Sequence, residues 1–101
     1  AVPAFMIVTA RIHDRDRFVA GYGAEAARLV ARFGGRYVLR APGGQVLEGA
    51  GDGPVSVVIS AWPDKAAALA FWNSPEYAEA KRLRDGLDDC SVILIEAEAL
   101  S

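Results

Sequence analysis

The 101 residues are enough for one domain, and 52% of them are hydrophobic, so we expect a single core over residues 1–101. With 11 basic and 13 acidic residues and a net charge of −2, the chain lacks the positive excess that accompanies nucleic-acid binding. The single cysteine excludes an internal disulfide, and no apolar run approaches the roughly 20 residues that span a bilayer, so the composition favours a cytoplasmic protein without a nucleic-acid or membrane partner.

The first part of the chain predicts a strand, a helix and a second strand. Residues 5–12, "FMIVTARI", form a short, β-branched and almost continuously apolar run that is typical of a strand. Asp14 then provides an N-cap for a long amphipathic helix whose apolar residues recur at helical spacing as far as Phe33. Gly34 and Gly35 favour the end of that helix, and "RYVLRA" is the second predicted strand.

The second part predicts a loop, a strand, an interrupted helix and a final strand. Residues 42–54 are rich in glycine and are interpreted as a loop with a short irregular strand. Residues 55–62 form the third strand, and the turn at Pro63 and Asp64 leads into a helix. That helix breaks and restarts at Ser74 and Pro75, because serine is a good cap and proline suits the first helical position. The turn-like "GLDD" then precedes the last predicted strand, residues 91–100.

The predicted order β-α-β-β-α-β matches the ferredoxin-like α+β fold, an antiparallel sheet with helices on one face. The first strand, however, carries Phe5 and Ile7 on one side and Met6 and Val8 on the other, so both sides of the sheet are apolar. A second apolar face is most simply covered by another copy of the same sheet, packed through a two-fold interface. The sequence therefore predicts a homodimer.

A set of short motifs runs through most of the chain. Its members are Gly34, Gly35, Arg36 and Tyr37, then Arg40, Glu48 and Gly49, Trp62 and Pro63, Trp72, the segment from Ser74 to Tyr77, and Arg84. Together these motifs resemble the proteins called domain of unknown function 1330, which are similar in fold to the dimeric α+β barrel superfamily. That superfamily includes cofactor-independent monooxygenases, lactone isomerases, polyketide cyclases and haem-degrading enzymes, so the resemblance implies a dimeric α+β barrel without selecting a chemistry.

Arg84 is a candidate ligand-binding residue. It falls with Tyr77 at the edge of the buried face of the restarted helix. A buried guanidinium needs either a carboxylate of the protein or an anionic ligand, because it keeps its charge. Glu48, after the glycine-rich segment, is the internal candidate for that carboxylate. A structural ion pair, or an arginine whose head group stays in water, is the alternative interpretation.

Arg40 is a second candidate ligand-binding residue. Regular alternation along the second strand predicts that Arg36, Val38 and Arg40 share one face, while Tyr37 and Leu39 point the other way. Two arginines on one face suit a carboxylate or carbonyl ligand. They equally suit an edge strand that is protected from aggregation.

Three aromatic residues, Trp62, Trp72 and Tyr77, form a candidate pocket wall, with Ser56 and Ser60 on the same face of the third strand as Trp62. Apolar walls with a few polar groups are typical of small-molecule sites. The alternative is that these aromatic residues are simply part of the core.

His13 and Glu48 are the candidate catalytic residues. His13, the only histidine, follows the first strand, where a general base could lie at the mouth of a pocket, although a histidine in an exposed turn is the simpler interpretation. One histidine and one cysteine do not make a zinc site, and the glycines do not form a dinucleotide or phosphate motif. We therefore expect no metal and no cofactor.

Three functional hypotheses remain open at the level of sequence. The first is a homodimer that binds a small organic molecule, possibly anionic, between the sheet and the second helix. The second is a cofactor-independent enzyme, either an isomerase or cyclase with His13 or Glu48 as the base, or a monooxygenase that acts on an activated phenol. The third is a purely structural dimer without a ligand.

Overall fold

A computed structural model of the chain describes residues 2–49, 51 and 53–98. Its elements are β1 (Ala4–Ile12), α1 (Arg15–Phe18), a π turn (Val19–Gly23), α2 (Ala24–Arg32), β2 (Arg36–Gly44), β3 (Val55–Trp62), α3 (Lys65–Trp72), α4 (Pro75–Arg82) and β4 (Asp88–Glu96). The strands pair antiparallel in the order β2-β3-β1-β4, which puts β3 and β1 in the centre of the sheet. This architecture confirms the predicted ferredoxin-like α+β fold.

The helices begin where the sequence predicts capping residues. The side chains of Asp14 and Asp64 each accept a hydrogen bond from the backbone amide three residues further on. Ser74 Oγ accepts from the amide of Tyr77 at 3.1 Å, and Pro75 is the first residue of α4. The predicted break between the two parts of the second helix is therefore confirmed. It changes the direction of the chain between Trp72 and Tyr77.

The predicted first helix differs from expectation in its middle. The helical residues run continuously through α1, the π turn and α2, but the turn Val19–Gly23 is wider than an α-helical turn. Two of its five residues, Gly21 and Gly23, are glycines, which support a regular α-helix poorly. The consequence for the site is the position of Tyr22, which is described below.

The strands β2 and β4 begin or end at different residues from those that the sequence predicts. β2 continues to Gly44, which pairs with Val55, and the described residues between these two positions form no further strand. β4 begins at Asp88 rather than at position 91, because β1 extends to Ile12 and Ile12 pairs with Asp88. β4 ends at Glu96, and positions 99 and 100 of the predicted strand lie outside the described residues.

The predicted alternation along β2 is wrong. Tyr37 pairs with Ser60 of β3, but the next pair joins Leu39 to Ile59, so Val38 is an extra residue in a β-bulge. A bulge reverses the side on which the following side chains point, here as far as Ala41, after which the pairing shifts again. Arg40 therefore lies on the same side of the sheet as Tyr37, and its guanidinium carbon is 4.8 Å from the centre of the Tyr37 ring.

The core lies between the helices and one face of the sheet, the inner face. It contains Ala4, Met6, Leu29, Val30, Trp62, Ala68, Phe71, Tyr77 and Ala80. The Trp62 and Phe71 rings are 5.0 Å apart, and Phe71 and Tyr77 are 4.5 Å apart. These aromatic contacts join β3, α3 and α4 into one packed unit.

The opposite face of the sheet, the open face, carries an apolar row that none of the described helices covers. Strand pairing puts Leu39, Ile59, Ile7 and Ile93 side by side across all four strands. Ile93 is 60% exposed and Leu39 is 43% exposed. A contiguous apolar patch of this kind usually marks an interface.

Candidate functional site

A cavity of about 370 Å³ lies between the inner face of the sheet and the helices. All four strands contribute to its floor, and the π turn, α2 and the segment around Trp72 and Tyr77 provide most of its roof. Most of the lining side chains are apolar. Both the volume and the lining are those of a small-molecule site.

Three arginines are the charged side chains among the described residues that line this cavity: Arg15, Arg40 and Arg84. They come from the first helical turn, from β2 after its bulge, and from the segment that follows α4. No described carboxylate or imidazole lines the cavity with them. The described charges of its lining are therefore all positive, which favours an anionic or strongly electron-rich ligand.

Four of the seven predicted site residues line the cavity: Arg40, Trp72, Tyr77 and Arg84. Trp62 lies behind the wall, because it is only 2% exposed and is packed in the core. Its indole Nε1 donates to Ser60 Oγ at 2.9 Å, and Ser60 itself lines the cavity. Trp62 thus supports the wall from behind.

The two predicted catalytic residues lie outside this lining. His13 is exposed, and its Nε2 is 3.1 Å from Asp89 Oδ2 at the start of β4. Glu48 is exposed in the loop that follows β2. Neither side chain is brought together with the arginines of the cavity.

Tyr22 is the site residue that the sequence pattern did not single out. The π turn brings it to the cavity, where its hydroxyl oxygen is 2.9 Å from the hydroxyl oxygen of Tyr77. The guanidinium carbon of Arg84 is 5.4 Å from the centre of the Tyr22 ring. The one signal in the sequence is the Gly-Tyr-Gly triplet inside an otherwise regular helical pattern, which marks a departure from α-helical geometry.

Burial keeps two of the tyrosines in the cavity neutral. It raises the pKa of Tyr22 far above the ordinary value, with a further contribution from Tyr77, while the charge of Arg84 acts in the opposite direction. Burial also raises the pKa of Tyr37, against the opposing charge of Arg40. Both phenols therefore keep their protons at neutral pH and remain hydrogen-bond donors.

We expect the protein to lose stability as the pH rises above about 10, the ordinary pKa of tyrosine. Below that pH both the folded and the unfolded chain hold the phenolic protons, so this effect is absent. Above it the unfolded chain releases a proton that folded Tyr22 retains, which lowers the free energy of unfolding by about 1.4 kcal/mol per pH unit. Tyr37 adds a smaller loss, because it is less buried.

Urea unfolding at about pH 9 and about pH 11 measures this loss in the wild type and in Tyr22→Phe. The variant should lose about 1.4 kcal/mol less than the wild type over that interval. Equal losses in the two proteins would show that Tyr22 ionises normally in the folded state.

Two further contacts hold the wall of the cavity in place. Arg15 Nη2 donates to Ser56 Oγ at 2.8 Å and so connects α1 to the buried part of β3. The ammonium group of Lys81 lies 4.5 Å from the centre of the Trp72 ring, on α4 beside the cavity. Arg15 is exposed, and its bond to Ser56 crosses from the helical layer to the sheet at the edge of the cavity.

Within the described ranges, no three His, Cys, Asp or Glu side chains are grouped so that they could hold a metal ion. No helix in the same ranges is both long and apolar enough to cross a membrane.

Comparison of sequences finds one family. The family described as "Domain of unknown function (DUF1330)" matches residues 3–98, which is nearly the whole chain. No curated protein matches the sequence.

Solved structures share the fold. RPA0582 from Rhodopseudomonas palustris, a protein of unknown function, has a TM-score of 0.80 and 22% identity over 98% of this chain and 85% of its own. SnoaB from Streptomyces nogalater, a cofactor-independent oxygenase, has a TM-score of 0.72 and 19% identity over 99% of this chain and 97% of its own. A dimeric ferredoxin-like protein of unknown function from Jannaschia sp. CCS1 has a TM-score of 0.72 and 16% identity over 94% of this chain and 99% of its own. At these identities the likeness concerns the fold.

Proposed function

We propose that this chain, which belongs to the DUF1330 family, is a homodimeric protein that binds a small organic anion with an aromatic or conjugated ring in the cavity between its sheet and its helices. The observation that carries this proposal is the charge of the cavity. Its described lining combines mostly apolar side chains with Arg15, Arg40 and Arg84 and contains no described carboxylate.

The three arginines favour an anion for a physical reason. A guanidinium stays charged at every physiological pH, and the mostly apolar lining of the cavity contains no described carboxylate that would neutralise it. An anionic ligand group would be attracted by all three side chains and could accept two parallel hydrogen bonds from any one of them. A neutral ligand of the same shape would gain only the apolar contacts.

The aromatic side chains favour a flat ligand. The Trp72 and Tyr77 rings are 5.2 Å apart, and the Phe18 and Tyr22 rings are 5.1 Å apart, so aromatic pairs border the cavity from two different helical segments. Flat rings pack well against such walls, through offset or edge-to-face contacts.

The homodimer is supported by the open face of the sheet. The row Leu39, Ile59, Ile7 and Ile93 is apolar across all four strands, and two-fold packing of two such rows would remove it from water. The Jannaschia protein with the same fold is itself described as dimeric.

Binding is tested with 2-naphthoate, a flat aromatic carboxylate, and with naphthalene, which lacks the carboxylate. We expect wild-type protein to bind 2-naphthoate more tightly than naphthalene in a tryptophan fluorescence titration.

Two variants fill the cavity: Ala27→Phe on α2, and Val19→Trp, at a lining position that is 53% exposed and therefore tolerant of a larger side chain. Both should abolish binding.

Ala31→Phe is the matched control, because Ala31 lies on the same helix but is exposed and outside the cavity. Circular dichroism confirms that each variant is folded. Binding that survives both filled cavities would place the ligand elsewhere, and failure of the wild type to bind either probe would favour the purely structural dimer. Native mass spectrometry of freshly purified protein provides an independent reading, as a bound mass on the dimer.

A second candidate function is cofactor-independent oxygenation of the bound molecule. Its support is the likeness to SnoaB over nearly the full length of both chains. An oxygen electrode distinguishes it from binding alone, since 1-naphthol should stimulate O₂ uptake only if the protein turns it over.

An isomerase or cyclase with His13 or Glu48 as its base has less support. A base must come within about 3 Å of the substrate proton, directly or through one water, and both residues lie outside the described lining.

A further inference from the structure

We infer, on the premise of the proposed ligand cavity, that Tyr22 and Tyr77 form a donor pair, which offers one hydrogen bond to an oxygen atom of the ligand, and that the ligand is a phenol or an enol bound as its anion. This defines the functional group that the site recognises. It also assigns Tyr22 as a residue that determines specificity.

The two tyrosine hydroxyls have more protons than their mutual hydrogen bond uses. Each phenol has one O–H group, so the pair has two protons. The bond of 2.9 Å between the two hydroxyl oxygens uses one of them, whichever tyrosine is the donor. In the described part of the chain no other side-chain hydrogen bond is found for either hydroxyl, and both residues line the cavity. The second proton is thus available to an acceptor inside the cavity, and a ligand oxygen would fit that role.

The two tyrosines of the pair come from different helical segments. Tyr22 comes from the π turn, and Tyr77 from the first turn of α4, where Ser74 caps the helix. The two hydroxyls therefore meet from separate segments, each of which departs from a regular helix at this point. π turns inside α-helices occur frequently at functional sites, which agrees with a role for Tyr22 beyond packing.

The positive charge of Arg84 lies beside the pair. Arg84 lies over the Tyr22 ring, with 5.4 Å between its guanidinium carbon and the ring centre. A positive charge at this position stabilises a ligand oxygen that carries negative charge, whereas Tyr22 itself stays neutral because burial raises the pKa of its hydroxyl. The pair would therefore bind a phenolate or enolate more strongly than the neutral form, through one hydrogen bond to a charged acceptor.

The probe for this inference is 4-nitrophenol, whose phenolate is yellow, compared with nitrobenzene, which has the same ring and nitro group but no hydroxyl. We expect the wild type to bind 4-nitrophenol at least 10-fold more tightly than nitrobenzene. Bound 4-nitrophenol should also ionise at a lower pH than the free compound, which its absorption spectrum reports directly. Tyr22→Phe should weaken 4-nitrophenol binding by about 10- to 100-fold, the usual effect of one hydrogen bond to a charged acceptor.

Nitrobenzene binding should be unchanged in Tyr22→Phe, because the ring of residue 22 remains. Tyr77→Phe should resemble Tyr22→Phe, with its thermal unfolding checked because Tyr77 is packed in the core. Tyr37→Phe should show a smaller loss, since Tyr37 lines the same cavity outside the hydroxyl pair.

The outcomes separate this inference from the proposed function. If the cavity binds 4-nitrophenol and nitrobenzene equally well, or if Tyr22→Phe leaves 4-nitrophenol binding unchanged, the donor pair is refuted while the cavity remains a binding site. If the wild type binds neither nitro compound nor 2-naphthoate, the proposed function fails and this inference fails with it.

Discussion

Replacing Gly35 with alanine is expected to lower the free energy of unfolding by about 2–3 kcal/mol, the upper part of the range for an overpacked core. A Cβ atom at position 35 would lie 2.8 Å from two carbons of the Trp62 six-membered ring, closer than real Cβ contacts allow. The ring has little freedom to move, because it is buried, packs 5.0 Å from Phe71 and donates from its Nε1 to Ser60. The clash would therefore strain β3 and the wall of the cavity together.

Gly21→Ala is the control for this prediction. A tyrosine follows Gly21 in the sequence, as one also follows Gly35 two residues later. A Cβ atom added at Gly21 would lie 3.9 Å from its nearest neighbour, an atom of Leu83, which is an ordinary van der Waals distance. Urea unfolding of the two variants should show a large loss for Gly35→Ala and little change for Gly21→Ala. Equal free energies of unfolding in the two variants would mean that the Trp62 ring can move away from an added Cβ atom. The cavity wall behind Ser60 would then be less rigid than its packing indicates.

The fold was predictable because its signals are local. Capping residues mark where each helix begins, and Ser74 with Pro75 marks the break between α3 and α4, so the order of elements follows from short stretches of sequence. The bulge at Val38 was not predictable in the same way. It depends on how β2 pairs with β3, and the alternating pattern of β2 gives no sign that one residue is left out of the ladder.

The same limit applies to the site. Trp72, Tyr77 and Arg84 were predictable as one wall because they lie close together in the sequence, on the two sides of the helix break at Ser74 and just after α4. Tyr22 was predictable only as one of the apolar residues on the buried face of the first helix, because its contact with the Tyr77 hydroxyl depends on how two separate helical segments pack. The expected partnership of Glu48 with this wall relied on a glycine-rich loop, whose path no local pattern determines.

Ile93→Asp is expected to convert the proposed homodimer into a monomer. Ile93 lies at the end of the open-face row and is 60% exposed in a single chain, so the side chain itself contributes little to the fold of the protomer. In a two-fold interface the change occurs twice. If each copy costs about 2 kcal/mol, as for a residue that contributes strongly to an interface, the dimer dissociation constant rises about a thousandfold.

Leu83→Asp is the matched control for Ile93→Asp. Leu83 is 47% exposed, but it follows α4 in the helical layer, away from the open face of the sheet. Sedimentation velocity over a range of concentrations should show a dimer for the wild type and for Leu83→Asp, and a folded monomer for Ile93→Asp. A dimer that survives in Ile93→Asp would place the interface outside the open face, and a wild type that is monomeric throughout would leave the apolar row without a second copy to cover it. Because the cavity lies on the inner face, an Ile93→Asp monomer that still binds 2-naphthoate would show that each protomer carries a complete site.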